Sequence, residues 1–198
     1  YVHASDGVRS VMNRLMPIIK KLFPFMLAGA YILPAMHQSS LGALLLLAGE
    51  KLDPLWQSQM LPLLYVIQAG VAGVACVIFT LLMASLFWRR SVDTCVLSSL
   101  GKLMAQIGLA FLVLRFGDII YRGQLGRALS LDALAIVFHV ENLLVAVPSL
   151  VLLKRDWRFR PRVLFATAIL AGLGAMLYRF TPTTITFVPG ELKFYFPT

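Results

Sequence analysis

Charge is scarce in these 198 residues, and acid scarcest of all. Asp, Glu, Lys and Arg together make up 14% of the chain, where soluble domains carry roughly a quarter. Only 9 acids stand against 18 Lys and Arg, a formal net charge of +9. Such an excess of base could serve a nucleic acid, but a nucleic-acid binder gathers its Lys and Arg on a polar domain. No polar domain is present here, because the basic residues fall between apolar runs. Cysteine is nearly missing: Cys76 and Cys95 lie in or beside apolar segments and form neither a metal-binding nor a disulfide pattern. No internal repeat and no signal-peptide pattern is visible. The chain opens on Tyr1 rather than Met and stops at the loop-like FYFPT, so it is expected to be part of a longer membrane subunit.

What remains is apolar. Hydrophobic residues make up 59% of the chain and the mean hydropathy is +0.81. A membrane helix needs about 20 mostly apolar residues, and five stretches qualify: about 18–37, 61–88, 97–122, 131–153 and 162–181. The expected fold is therefore all-α, an integral membrane helical bundle forming one transmembrane domain over residues 1–198. Residues 182–198 are expected to be an outer loop with a short extended piece. Small residues four apart, Ala168 with Gly172 and Ala171 with Ala175, predict close helix contact in the fifth stretch, and Gly70 and Gly73 do so in the second.

Basic residues concentrate on the cytoplasmic side of membrane proteins. If the five stretches alternate in direction, one side carries +9 and the other +1, with Glu141 inside the fourth stretch. The first side is read as cytoplasmic. The polar residues 37–57 then face outward, to the periplasm of a bacterium, and the membrane is its inner membrane.

Several polar groups are out of place. His37, Gln38, Ser39 and Ser40 interrupt a run from Leu22 to Ala48 that is otherwise apolar or glycine. One reading is a helix break after Pro34, with Ser39 or Ser40 capping a short helix through Leu47. Another is a polar pocket in which the His37 imidazole, which titrates near neutral pH, exchanges a proton with a bound molecule. Arg115, Asp118 and Arg122, spaced i, i+3, i+7, share one helical face. They read as a structural ion-pair ladder, or as a proton relay or docking site. Glu141 is the deepest charge, about 15 Å in by helical rise. A carboxylate there is costly unless paired or protonated, which suggests a structural bond or, more strongly, a proton path. His139, two residues earlier, points to a different face. Haem b usually needs two histidines at matching depth. His37 lies at the edge, His139 is roughly 12 Å deeper and His3 is in the tail, so neither haem nor metal is expected in this segment.

The stretch LPAMHQSSLGALLLLAGEKLDPLWQSQMLPLL resembles the signature of the NrfD/polysulfide-reductase membrane-subunit family, in its larger, hydrogenase-associated branch. LRFGDIIYRGQL at 114–125 and the terminal YFPT fit the same branch. The resemblance covers essentially the whole chain, and HQSSLG with PLWQ is its specific part. It implies a haem-free bundle of about eight to ten membrane helices, of which five are present here. It also implies a quinone (menaquinone or ubiquinone) bound near the periplasmic face, and a periplasmic iron–sulfur subunit that exchanges electrons with it. Behind that subunit would stand a catalytic subunit such as a nickel–iron hydrogenase. On this reading His37, Gln38, Ser39, Ser40, Trp56 and Gln57 bind the quinone or wall its site. Arg115, Asp118 and Arg122 support the site, and Glu141 and His139 belong to a proton path that could serve proton translocation. One departure stands out: a His commonly precedes PLW in the family, whereas this chain has Asp53, which must replace it if that His has a proton role. A competing reading is a proton- or ion-coupled transporter with no redox role, since a buried acid and a broken helix also suit transporters. A third makes this segment a plain anchor whose quinone site lies in the absent half.

Overall fold

The computed structural model describes residues 6–88, 93–130 and 132–186, with side chains from Arg14 onward except that of Glu50. Among the described residues seven α-helices follow one another: α1 (Asp6–Leu47), α2 (Leu61–Trp88), α3 (Thr94–Tyr121), α4 (Leu125–Ala128), α5 (Ala133–Val151), α6 (Arg155–Arg158) and α7 (Pro161–Phe180). Among the described residues there is no strand. Five helices are long and apolar enough to cross a membrane, so the chain is a multi-pass, all-α membrane protein. The last four spans begin and end within a few residues of the expected limits.

The first span does not. The expected break after His37 is absent, and one helix runs through Pro17, Pro24, Pro34 and all four polar residues to Leu47. A proline removes one backbone hydrogen bond, which membrane helices tolerate. Opening the backbone at residues 38–40 would strand several polar groups at once in hydrocarbon. The helix stops instead at Gly49, whose φ of +53° is the left-handed conformation that terminates helices. A 3₁₀ turn, Gly49–Lys51, follows. The chain divides into two units, one ending at His37 and one beginning at Gln38.

The second unit holds α2, α3, α5 and α7, in which α2 packs on α3 and α7, and α5 on α7 and α3. Its interior has two apolar clusters. One, at the end bearing the Leu52–Met60 loop, joins Trp56, Tyr65, Phe111, Phe138 and Tyr178. The other gathers Ile78, Leu97, Met104, Leu152 and Leu164 towards the opposite end. Small residues set the closest approaches: a Cβ on Gly174 would meet Leu144 Cβ at 2.9 Å, and one on Gly108 would collide with Ser149 Oγ. Ala168, Ala171 and Ala175 are buried, but a Cβ on Gly172 or Gly73 would meet nothing within 4 Å. Gly172 therefore takes no part in the predicted contact, because the packed stripe runs through Gly174 instead.

Lone polar side chains in the spans bond back to the preceding turn, the usual way to satisfy a hydroxyl or amide in hydrocarbon. Thr80, Asn142, Ser149 and Thr167 each donate to the carbonyl four residues earlier. The same device shapes the end of α7. Pro182 breaks the ladder, the hydroxyls of Thr183 and Thr184 donate to Arg179 O and Phe180 O, that of Thr181 joins its own backbone N–H on Leu177 O, and Thr181–Ile185 forms a π-helical turn. Residues 182–185 are thus helical rather than loop. The extended piece expected beyond them falls on residues 187–198, outside the described residues.

Candidate functional site

The site is built on the connection between α1 and α2. Leu52, Asp53, Leu55, Trp56 and Ser58 are all buried, unusual for a loop, so its polar groups need internal partners. Asp53 supplies most of them. Its carbonyl accepts from the backbone N–H of Trp56 (2.9 Å) and Gln57 (3.0 Å), and its Oδ1 accepts from Leu55 N at 3.0 Å. Its Oδ2 pairs with Arg127 at 3.0 Å, and Arg127 also reaches Asp132 at 3.1 Å. The hydrogen bond that Arg127 donates to Asp53, and then the Asp53 charge, raise the Arg127 pKa above the ordinary arginine value. Asp53 N donates to Thr186 O at 3.2 Å, and Arg122 Nη1 donates to Pro54 O at 2.6 Å. The loop is pinned on three sides.

Fixed in this way, the loop sends Trp56 into the bundle. Its indole Nε1 donates to Glu141 Oε2 at 3.2 Å, and Arg115 Nη2 donates to the same oxygen at 2.8 Å. The Arg115 and Glu141 side chains are 4% and 0% exposed, which makes this a buried ion pair. Aromatic rings box it in: Arg115 Cζ lies 4.5 Å from the Phe138 ring centroid, 4.6 Å from Tyr178 and 5.8 Å from Phe111. Glu141 Oε1 and Arg115 Nη1 are buried with no hydrogen-bond partner in the protein.

A cavity of about 640 Å³ lies beside the loop. Leu45, Leu46, Pro54, Leu61 and Tyr121 give it apolar walls, while Gln57, Ser58, Gln59, Gln124, Asp118 and Arg122 add polar groups. Gln124 owes its place to the end of α3. There Gly123, at φ +68°, closes a Schellman turn in which Gly123 N bonds Ile120 O and Gln124 N bonds Ile119 O. Asp118 and Arg122 pair at 2.7 Å. A second cavity, of about 10 Å³, is lined by Trp56, Ser58, Arg115, Asp118, Arg122 and Tyr178, among others. Ser58, Leu61, Asp118 and Arg122 line both.

The residues singled out in the sequence therefore fall into groups. Gln57, Asp118 and Arg122 meet at the large cavity, while Trp56, Arg115 and Glu141 form the buried cluster. The predicted ladder is split: Asp118 pairs with Arg122, and Arg115 turns instead to Glu141 on α5. His139 is half-buried, its Nε2 2.8 Å from Ala128 O, on a different face from Glu141. Gln38 Oε1 accepts from Arg179 Nε at 3.1 Å. Ser39 and Ser40 stay within α1, and His37 closes the first unit, whereas every residue lining the cavity belongs to the second. Asp53 is held by its Arg127 pair and its backbone bonds. Sequence reading missed Ser58, Gln59, Tyr121 and Gln124, which lie within the quoted motifs but were given no role, and also Tyr178 and Arg179, whose pairing with α3 and α1 no local spacing signals.

Residues 11–187 match the family described as "Polysulphide reductase, NrfD". Over 183 residues, 91% of its length, the chain is 38% identical to the "Probable Ni/Fe-hydrogenase 2 b-type cytochrome subunit" of Escherichia coli (strain K12), covering 47% of that protein. Over 73 residues, 37% of its length, it is 42% identical to a protein of Nitratidesulfovibrio vulgaris (strain Hildenborough), covering 18% of it. The chain thus spans about half the length of the first relative and a smaller part of the second. No solved structure matches it. The words "b-type cytochrome" in the first relative's name call for a haem test. His139 is the sole histidine of residues 38–198, and its Nε2 is engaged by the Ala128 carbonyl. The second unit therefore does not fit a bis-histidine haem. Among the described residues no group of three His, Cys, Asp or Glu is arranged to hold a metal ion.

Proposed function

The chain belongs to the polysulphide reductase NrfD family, and from that premise we propose that it is part of the quinone-reactive membrane subunit of a respiratory oxidoreductase. The observation that carries the reading is the 640 Å³ cavity, within the range of small-molecule sites. A quinone head group presents two carbonyl oxygens on a flat apolar ring. Gln57, Gln59, Gln124 and Arg122 supply donors for the oxygens, and Leu45, Leu46, Leu61 and Tyr121 supply the apolar surface. In this reading Gln57 and Arg122 orient the head group. Asp118 lies within the same cavity to exchange a proton, while Trp56 anchors the wall through Glu141.

The count of basic residues supports a periplasmic position for this end of the bundle, in a bacterial inner membrane. Electrons would pass between the quinone and an iron–sulfur subunit docked there, and the name of the Escherichia coli relative suggests a nickel–iron hydrogenase behind it. The electron chemistry belongs to those cofactors; the protein holds, orients and desolvates the quinone and handles its protons. Gln38, Ser39 and Ser40 enter this proposal as a flanking polar group, Gln38 through its bond to Arg179. The test is quinone-linked turnover of the full-length subunit in its complex. Gln57→Leu is expected to raise the quinone KM about tenfold or more, the loss of one hydrogen bond to a buried polar group, while the complex still assembles. An unchanged KM contradicts the site.

A further inference from the structure

Asp118 is the only carboxylate among the described residues that lines both cavities. The inner one has about the volume that a single water requires. A water also needs two to four polar partners, and the walls provide the Ser58 hydroxyl, the Asp118 carboxylate and the guanidinium groups of Arg115 and Arg122. One further observation points the same way. Arg115 Nη1 and Glu141 Oε1 are fully buried yet lack any partner within the protein, although a buried donor or acceptor left unpaired is costly. Trp56 and Arg115, which line this cavity, are also the two residues that hold Glu141 Oε2. Arg115, the cationic half of the buried pair, thus shares a space sized for one water with Asp118 of the large cavity, and Glu141 stands behind Arg115 and Trp56.

We infer that a single water in the inner cavity joins Asp118 to the Arg115–Glu141 pair and forms a one-step proton relay between the large cavity and the bundle interior. The inference rests on the quinone reading above. When a quinol is oxidised, its two electrons leave for the redox partner and two protons must leave its hydroxyls. One O–H bond breaks and its proton passes to the Asp118 carboxylate; the relay carries one proton per pass, and the second takes the same route after Glu141 has released the first towards the bundle interior. Asp118 then gives a proton to the water as the water gives one to the Glu141 carboxylate; the water is unchanged, Asp118 is again ionised and Glu141 is neutral. Quinone reduction runs the same step backwards. Arg115 is the positioning residue: it holds Glu141 Oε2 and lines the water's cavity, and while Glu141 is neutral its charge is offset by the Phe111, Phe138 and Tyr178 rings around it. Arg122 keeps Asp118 facing the cavities through their 2.7 Å pair.

The relay is tested in the full-length subunit within its complex by infrared difference spectroscopy of quinone reduction, with quinone affinity measured alongside. Glu141→Gln assigns the Glu141 carboxyl band. Asp118→Asn removes the relay's outer group. Ser58→Thr keeps the hydroxyl that accepts from Met60 N and adds a methyl group to the wall of a water-sized space. The expected result is that quinone Kd stays within about threefold in Asp118→Asn and Ser58→Thr, the Glu141 band stops responding to quinone reduction, and turnover falls about 10²-fold, as for loss of a general acid–base group. If quinone binds as in the parent and the Glu141 band still responds in both variants, the relay is overturned while the function stands. If the parent complex binds no quinone at this cavity, both are overturned.

Discussion

Glu141→Gln isolates the charge of the buried pair. Glutamine has the same shape and keeps an oxygen for the Trp56 indole, so what is lost is the compensation of Arg115. Removing one partner of a buried ion pair costs about 3–5 kcal/mol. Here three rings lie within 4.5–5.8 Å of the Arg115 guanidinium, and each cation–π contact offsets about 0.5–2 kcal/mol when desolvated. That moves the expected loss to the lower end, about 3 kcal/mol. Arg115→Met alone strands the carboxylate among the same rings, which do nothing for an anion, so it should cost more, about 4–5 kcal/mol. In the double variant no charge is stranded and the Trp56 bond survives, so the loss should fall to about 1–2 kcal/mol. Equilibrium unfolding of the full-length subunit in mixed micelles measures all three. The double-variant cycle should return a coupling of several kcal/mol, well above the roughly 0.5 kcal/mol within which independent sites add. Losses that simply add would refute the claim that this pair holds the loop-side end of the bundle.

Two further outcomes follow from the packing. Gly174→Ala forces a Cβ to 2.9 Å from Leu144 and should cost about 1–3 kcal/mol by overpacking. Gly172→Ala, with open space around its Cβ, should be neutral or stabilise by about 0.5–1 kcal/mol; the same unfolding assay separates them, and equal losses would contradict the assigned stripe. Asp53→Asn keeps an oxygen for Leu55 N and loses the Arg127 pair, whereas Asp53→Ala loses both. Thermal unfolding should therefore rank parent, Asn and Ala in falling order, and an Ala variant as stable as the parent would show that the loop is held by other means.

The spans were readable because hydrocarbon thickness fixes their length, and Glu141 stood out because a lone acid within an apolar run has few explanations. What escaped was pairing between helices. The spacing of Arg115, Asp118 and Arg122 brings them to one face, but nothing local shows that Arg115 turns to a partner 26 residues on, or that Trp56 reaches a carboxylate 85 residues away. The first helix was misjudged for a different reason. A polar cluster after a proline marks a helix end in water, where an exposed backbone is solvated. In lipid the helix continues until a glycine can turn it, and Gly49 carried that signal. Gln38 to Ser40 drew attention by being polar, yet beside the predicted Gln57, Asp118 and Arg122 the cavity is lined by the quieter Ser58, Gln59, Tyr121 and Gln124.

Photoaffinity labelling with a ring-substituted azidoquinone, followed by peptide mapping of the full-length subunit in its complex, tests the central claim most directly. The account predicts label in Leu45–Leu46, Pro54–Leu61 and Asp118–Gln124, competed away by unlabelled quinone and weakened by Gln57→Leu. Competable label confined to other parts of the subunit would contradict it.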